Sequence, residues 1–235
     1  MWHTVSDHVD EALRLKPDAL VVVVTYFDLS QYTSLPGDGA KAPAPAGSTD
    51  LATWIGDLRH KFLSDSRATT IAMHLIFSDL PRYLSFYLRH GDSADYLRPP
   101  FTPAWRLRIA VVDSTVERLA NAARADGVPL FVLWSPGLPN VLLAHSQQQY
   151  PEVDTRAFGN AIADITRRHG AVFVDPMELE ASAPEPDKLF YLVDGHPTPE
   201  GHQFIAEALG RALTTQVPQF QACTSGGTST DASAS

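Results

Sequence analysis

The sequence predicts an α/β protein built around a parallel β-sheet, and two observations carry this prediction. Residues 19–25, 130–134 and 171–174 are short apolar runs without polar alternation, rich in β-branched and aromatic side chains. Such runs are typical of strands that are buried on both faces of a parallel sheet. Helical patterns separate the runs, and strands that alternate with helices favour right-handed crossover connections. We therefore expect a three-layer α/β/α sandwich in which helices cover both faces of the sheet.

Helix start and stop signals place the helices between these strands. Thr102–Pro103 is typical of a helix start and Gly127 of a helix end, so a long helix is expected between them. Thr198–Pro199 opens the last helix in the same way. Residues 31–48 are rich in proline and glycine and predict a long loop that suits a lid or a substrate-facing excursion. Further helices are expected at 7–16, at 50–63, at 68–89 with a kink or split near Pro81, and at 154–168.

The composition is that of one globular domain. The chain has 235 residues, of which 44% are hydrophobic, and we place a single domain with a sizeable core at 1–221. Residues 222–235 are rich in serine, threonine, glycine and alanine, and we expect them to be disordered. Eighteen basic and 27 acidic residues leave a net charge of −9, so nucleic acid and anionic membranes are not expected as partners. Charged residues and a proline interrupt the longest apolar-rich region, 68–88, which therefore does not suit a transmembrane helix.

The strongest chemical signal lies in residues 189–202. Asp194 precedes His196 by two residues on a loop with glycine and proline, directly before a helix start. A carboxylate in this position can fix the tautomer of an imidazole and stabilise the imidazolium that forms during proton transfer. The spacing therefore suits general acid–base chemistry. The alternative is a surface loop in which Asp194 caps a turn and His196 is solvated.

The wider string resembles the last conserved block of the SGNH/GDSL hydrolase superfamily. In that block an Asp and a His, two or three residues apart, are followed by Pro or Trp, a short gap, a Gly and a helix. Asp194, His196, Pro197 and Gly201 stand at the corresponding positions of this chain. The three apolar runs resemble the last three of the family's five strands, so the resemblance covers about residues 16–213.

This resemblance implies a flavodoxin-like parallel sheet and a reaction in which an acyl group, such as acetyl, is hydrolysed or transferred. The reaction would proceed through a serine acyl-enzyme, with His196 as general base and then general acid and Asp194 as its orienting partner. The implied substrate is an acyl ester of a small molecule or a saccharide. The resemblance implies no cofactor.

Two departures from the family pattern concern the rest of the catalytic machinery. The family's Gly-x-Asn-Asp block is expected after the strand at 19–25, where Asp28 matches the final Asp but Phe27 replaces the asparagine amide donor. The alternative for Asp28 is a turn-forming carboxylate. The family's nucleophilic serine lies in a Gly-Asp-Ser block, and no such block precedes residue 19. We therefore expect this chain to begin about two strands after the start of the family's fold.

A Gly-Asp-Ser tripeptide does occur at residues 91–93. Ser93 would be activated by His196 if it were the nucleophile, but the residues before it have a helical pattern, and its order along the chain does not suit the family. The nucleophile is therefore not identified, and two hypotheses stay open. One is an SGNH-type ester hydrolase whose serine lies upstream or is Ser93. The other is a catalytically inactive SGNH-like fragment or binding module that lacks its nucleophile.

Other polar and aromatic candidates favour structural roles. We expect His202 to be a packed helix residue rather than a second base, and Asp175 to cap the turn after a strand. The remaining histidines lack metal-ligand spacing and no glycine-rich phosphate cradle is present, so neither a metal nor a nucleotide cofactor is expected. Four aromatic residues are expected to pack in the core or under a lid rather than to stack on a sugar: Tyr83, Phe86, Tyr87 and Tyr96.

The strand at 19–25 is also a candidate contact between chains. If the family's first strand is missing, the outer edge of this strand lies open, and an open apolar edge favours pairing with another chain. We therefore expect a homo-oligomer or aggregation through this edge. The single cysteine, Cys223, gives no internal disulfide and leaves the compartment open.

Overall fold

A computed structural model gives the fold for most of the chain. It describes residues 7–29, 79–89, 94–146, 150–192, 195–218 and 220–221. Several predictions lie outside these residues: the loop at 31–48, the helix at 50–63, the first part of the helix at 68–89, Ser93, Asp194 and the tail 222–235.

The described residues form a mixed α/β structure with an open, three-stranded parallel sheet. Its strands are β1 (Leu20–Val24), β2 (Leu130–Trp134) and β3 (Val172–Val174), in the order β1-β2-β3. Leu20 pairs with Leu130 and Phe131 with Val172, and both pairings are parallel. The predicted α/β class, the parallel sheet and the positions of the three strands are therefore confirmed.

Helices occupy most of the remaining described chain. In chain order the structure has α1 (Val9–Arg14), α2 (Tyr26–Leu29), α3 (Leu80–Tyr87), α4 (Pro103–Ala125), α5 (Leu138–His145), α6 (Ala157–Arg168), α7 (Met177–Ala181) and α8 (Pro199–Gln216). Two short 3₁₀ helices span Asp95–Leu97 and Pro186–Leu189.

Alternate residues of the strands belong to two separate apolar clusters. On β2, Val132 and Trp134 belong to the larger cluster, to which α4 and α6 contribute. Phe131 and Leu133 belong to the smaller cluster, to which α8 contributes. Successive side chains of a strand point to opposite faces, so the two clusters lie on the two faces of the sheet.

The predicted helix boundaries hold where the signals were local. The Thr102 side chain accepts a hydrogen bond from the Trp105 amide, as expected for an N-cap. Gly127 follows α4 at φ +69°, the left-handed conformation that suits glycine after a helix. Helix α3 begins at Leu80 with Asp79 as its cap and Pro81 in its first turn. The part of the predicted helix before residue 79 lies outside the described residues.

Helix α5 was not predicted. Its residues from Leu138 to Leu143 are all buried, so the segment shows no alternation of apolar and polar faces. Without that alternation, the periodicity that indicates a surface helix is missing. Across the described ranges, no helix combines the length and the apolar character that a bilayer span requires.

Candidate functional site

The orientation of α8 places the predicted site relative to the sheet. A cavity of about 1070 Å³ lies at the edge where the strands begin, and Gly127 and Gly170, which precede β2 and β3, line it. Gln216 and Val217, at the end of α8, line the same cavity. The start of α8 contacts Leu189 of the 3₁₀ helix Pro186–Leu189, and that 3₁₀ helix packs against α7, which follows β3. The first turn of α8 therefore lies toward the opposite edge, where the strands end. This carboxyl edge is where parallel sheets carry their sites.

The segment before α8 folds back on itself and presents His196 at its turn. We call residues 189–198 the histidine loop. Phe190 and Pro197 form an antiparallel bridge, the Tyr191 amide donates to the His196 carbonyl (2.8 Å), and the Gly195 amide donates to the Tyr191 carbonyl (2.7 Å). Gly195 has φ +74°, a conformation that glycine adopts at little cost. These bonds hold the backbone on both sides of the turn.

The base of the histidine loop is fixed to the start of α8. The Thr198 amide donates to the Leu189 carbonyl (2.8 Å), and the Thr198 hydroxyl donates to the Lys188 carbonyl (2.9 Å). The same hydroxyl oxygen accepts from the Gly201 amide (3.3 Å) and so caps the helix. A β-carbon on Gly201 would lie 2.2 Å from the Leu189 carbonyl oxygen, so only glycine fits here. The Thr-Pro-x-Gly sequence therefore joins loop and helix tightly.

The structure places one member of the predicted catalytic pair. The His196 side chain is exposed on the histidine loop, whereas Asp194 lies outside the described residues. The pairing of Asp194 with His196 therefore stays a prediction. His202 lies in the first turn of α8, as expected for a helix residue, but its side chain is exposed rather than packed.

Carboxylates that follow β1 and β3 are hydrogen-bonded within their own turns. Asp28 accepts a hydrogen bond from the Thr25 hydroxyl (2.9 Å), and its amide donates back to the Thr25 oxygen (3.1 Å). This arrangement favours the interpretation of Asp28 as a turn-forming residue. Asp175 accepts from the Met177 amide (2.9 Å) and forms an ion pair with Arg156, which confirms its predicted capping role.

A different Asp–His pair is present in the described part of the chain. Asp113 on α4 lies 2.6 Å from Nε2 of His169 and 2.7 Å from the guanidinium of Arg168. Burial alone would raise the pKa of Asp113, but hydrogen bonds from His169 and Arg168 outweigh it and lower that pKa. His169 lines the cavity at the edge where the strands begin, away from the carboxyl edge. The pair therefore joins the end of α6 to α4 and is separate from the predicted site.

Buried tyrosines support the turn after β2. Tyr26 stacks on Tyr96 at 4.5 Å between ring centroids, and the Tyr96 hydroxyl donates to Oδ1 of Asn140 (2.9 Å). That Oδ1 also accepts from the Gly137 amide (3.2 Å). Burial raises the pKa of Tyr26 and of Tyr96, so both hydroxyls stay neutral. Of the four aromatic residues predicted to pack, Tyr83 and Tyr96 are buried in the larger apolar cluster and Tyr87 packs against it, whereas Phe86 is half-buried.

Comparison of the chain with known proteins finds no match. No family model matches the chain, and no curated protein or solved structure matches it. Within the described ranges, no three His, Cys, Asp or Glu side chains form a group that would hold a metal ion.

Proposed function

We propose that this protein is an SGNH-type ester hydrolase that acts on acyl esters, with His196 and Asp194 as its acid–base pair. The observation that carries the proposal is the histidine loop: an exposed imidazole at a hydrogen-bonded turn, anchored to the first turn of α8. Positioning of this kind is what a general base requires, because small misplacements reduce the rate strongly. The motif resemblance supplies the reaction class. The helix-covered faces of the sheet support the finer proposal of a three-layer, flavodoxin-like sandwich.

The proposed reaction has two halves. A serine hydroxyl attacks the ester carbonyl carbon while His196 accepts its proton, and the imidazolium then donates that proton to the departing alcohol. Water next attacks the acyl-serine with the same proton transfers, which releases the carboxylic acid and restores the serine. Asp194 would hold the tautomer of His196 and stabilise the imidazolium. The candidates for this serine are Ser93 and a Gly-Asp-Ser serine that the given sequence does not contain.

Replacing His196 tests the acid–base assignment. In His196→Gln we expect turnover of p-nitrophenyl acetate to fall at least ~100-fold, because a missing general base costs about that factor or more. His202→Gln is the matched control, since His202 is also exposed and lies six positions further along, on α8. It should retain the parent rate. Parent-like turnover in His196→Gln would remove the assignment.

A fluorophosphonate probe tests which serine is the nucleophile. Such a probe bonds to a serine that a base has activated, and peptide mass spectrometry then identifies the residue. Labelling at Ser93 that disappears in His196→Gln would place the nucleophile within this chain. If the chain is not labelled but its gene encodes an in-frame Gly-Asp-Ser upstream, the longer product should be labelled in its place. Absence of labelling in both would favour the non-catalytic alternative.

A further inference from the structure

Glu180 on α7 is a buried carboxylic acid. Its relative exposure is 0%, and among the described residues neither carboxyl oxygen has a hydrogen-bond partner. A carboxylate in such a setting is costly, because nothing replaces the water that it loses. Burial raises the pKa of Glu180 to about 8, and the nearby negative charge of Asp175 adds to the effect. Glu180 is therefore neutral in the folded protein at pH 7.

Helix α7 connects this acid to the histidine loop. It packs against α5, α8 and the 3₁₀ helix Pro186–Leu189. The last residue of that 3₁₀ helix, Leu189, provides the carbonyl oxygen that accepts from the Thr198 amide and closely contacts Gly201. A displacement of α7 would therefore reach the base of the histidine loop through the 3₁₀ helix and through α8, since α7 packs against both.

The other charged and titratable groups on the neighbouring elements lie at the surface. Nδ1 of His145 lies 3.0 Å from the Ala181 carbonyl oxygen, and the His145 ring is exposed. The half-buried Asp175 accepts a hydrogen bond from the Met177 amide at the start of α7 and pairs with Arg156, so its carboxylate stays close to α7. The remaining groups are exposed or half-exposed: Asp187 and Lys188 on the 3₁₀ helix, and Glu200, His202, Glu207 and Arg211 on α8.

We propose that Glu180 in its protonated form is a positioning residue that keeps the base of the histidine loop in place, and that its ionisation releases the loop. The link to catalysis rests on the proposed function, whereas the effect on the loop does not. The pH dependence of stability follows from the raised pKa of Glu180. The folded chain holds this proton more tightly than the unfolded chain, so its contribution to stability is full below about pH 4.5 and is lost as the pH rises through about 8.

Urea unfolding as a function of pH tests the buried acid. Glu180→Gln has nearly the same shape but no titratable proton, and Glu178→Gln changes an exposed acid on the same helix. Between pH 5 and 8 we expect the unfolding constant of the parent to rise relative to Glu180→Gln by up to about tenfold per pH unit, and to change little relative to Glu178→Gln. A purely structural role would give an offset that does not depend on pH. Such a constant offset would overturn the proposal.

Hydrogen exchange tests the release of the loop. At pH 8.5, peptides that cover residues 186–202 should exchange faster in the parent than in Glu180→Gln, and at pH 6 the two proteins should match. Glu180→Met, which is apolar and of similar length, should behave like Glu180→Gln. Equal exchange at both pH values would overturn the positioning role. Neither readout measures ester turnover, so a failure of the proposed function would be recognised separately.

Discussion

At the scale of single residues, two glycines of α8 differ in what surrounds them. A β-carbon on Gly201 would lie 2.2 Å from the Leu189 carbonyl oxygen, whereas a β-carbon on Gly210 would have no atom within 4 Å. Because the atom in the way at Gly201 belongs to the backbone, a side chain there would fit only if the histidine loop shifted relative to α8. Gly201 is therefore required for the geometry of the loop, while Gly210 is merely tolerated.

Gly201→Ala should lower the free energy of unfolding by about 1–3 kcal/mol, because the new methyl group overpacks a contact with backbone. Gly210→Ala, the matched control, should raise it by about 0.5–1 kcal/mol, since alanine favours a helix interior. Urea denaturation of both variants measures the difference. Equal stability of the two variants would mean that Gly201 does not contact Leu189 closely.

At the scale of elements, Asp113 joins α4 to the end of α6. Its carboxylate lies beside His169 and Arg168, and the Arg124 guanidinium on α4 also donates to the His169 carbonyl (2.7 Å). Both contacts connect the same two helices. Because Asp113 is only partly buried, solvent screening limits what its ion pairs contribute.

Asp113→Asn should lower the free energy of unfolding at pH 7 by about 1 kcal/mol. The folded-state pKa of Asp113 is lowered, so its contribution is present above the unfolded value of about 4 and is lost as the pH falls through the folded value. The difference from the parent should therefore disappear in acid. Asp164→Asn, which breaks an exposed pair with Arg167, is the control and should have little effect at either pH. A difference from the parent that does not shrink as the pH falls below about 4 would contradict this account.

Local signals predicted elements well and contacts between distant elements poorly. The N-caps at Thr102 and Thr198 follow from short sequence patterns, and the structure has helices starting at both places. The contact between Asp113 and His169 joins residues 56 positions apart, so no local pattern indicates it. Glu180 in the segment Met-Glu-Leu-Glu-Ala resembles an ordinary helix carboxylate, and its burial depends on packing against other elements. The helix start at the base of the histidine loop was predictable for the same reason, whereas the Phe190–Pro197 bridge within the loop was not predicted.

At the scale of the whole molecule, β1 presents apolar surface. Val21 and Val23 are 41% and 46% exposed, and within the described residues β1 pairs with β2 alone. An apolar strand with an open edge favours pairing with a second chain. The predicted association of chains therefore has a defined surface to test.

Val21→Lys combined with Val23→Lys should reduce self-association, because charges on a strand edge oppose pairing. Light scattering after size-exclusion chromatography measures the molar mass. The control is Leu15→Lys, which changes an 82% exposed leucine ahead of the strand and should leave the mass unaltered. A monomeric parent protein at the same concentration would contradict the predicted association.

The register of the sheet has a consequence for biosynthesis. Leu20 pairs with Leu130, so β1 and β2 are separated by about 110 residues along the chain. Closing a connection of this length before the contacts form slows folding. During translation, β1 leaves the ribosome long before its partner has been made, and its run of valines stays uncovered meanwhile. We expect the nascent chain to depend on chaperones over this interval, and refolding yield in vitro to fall as the protein concentration rises.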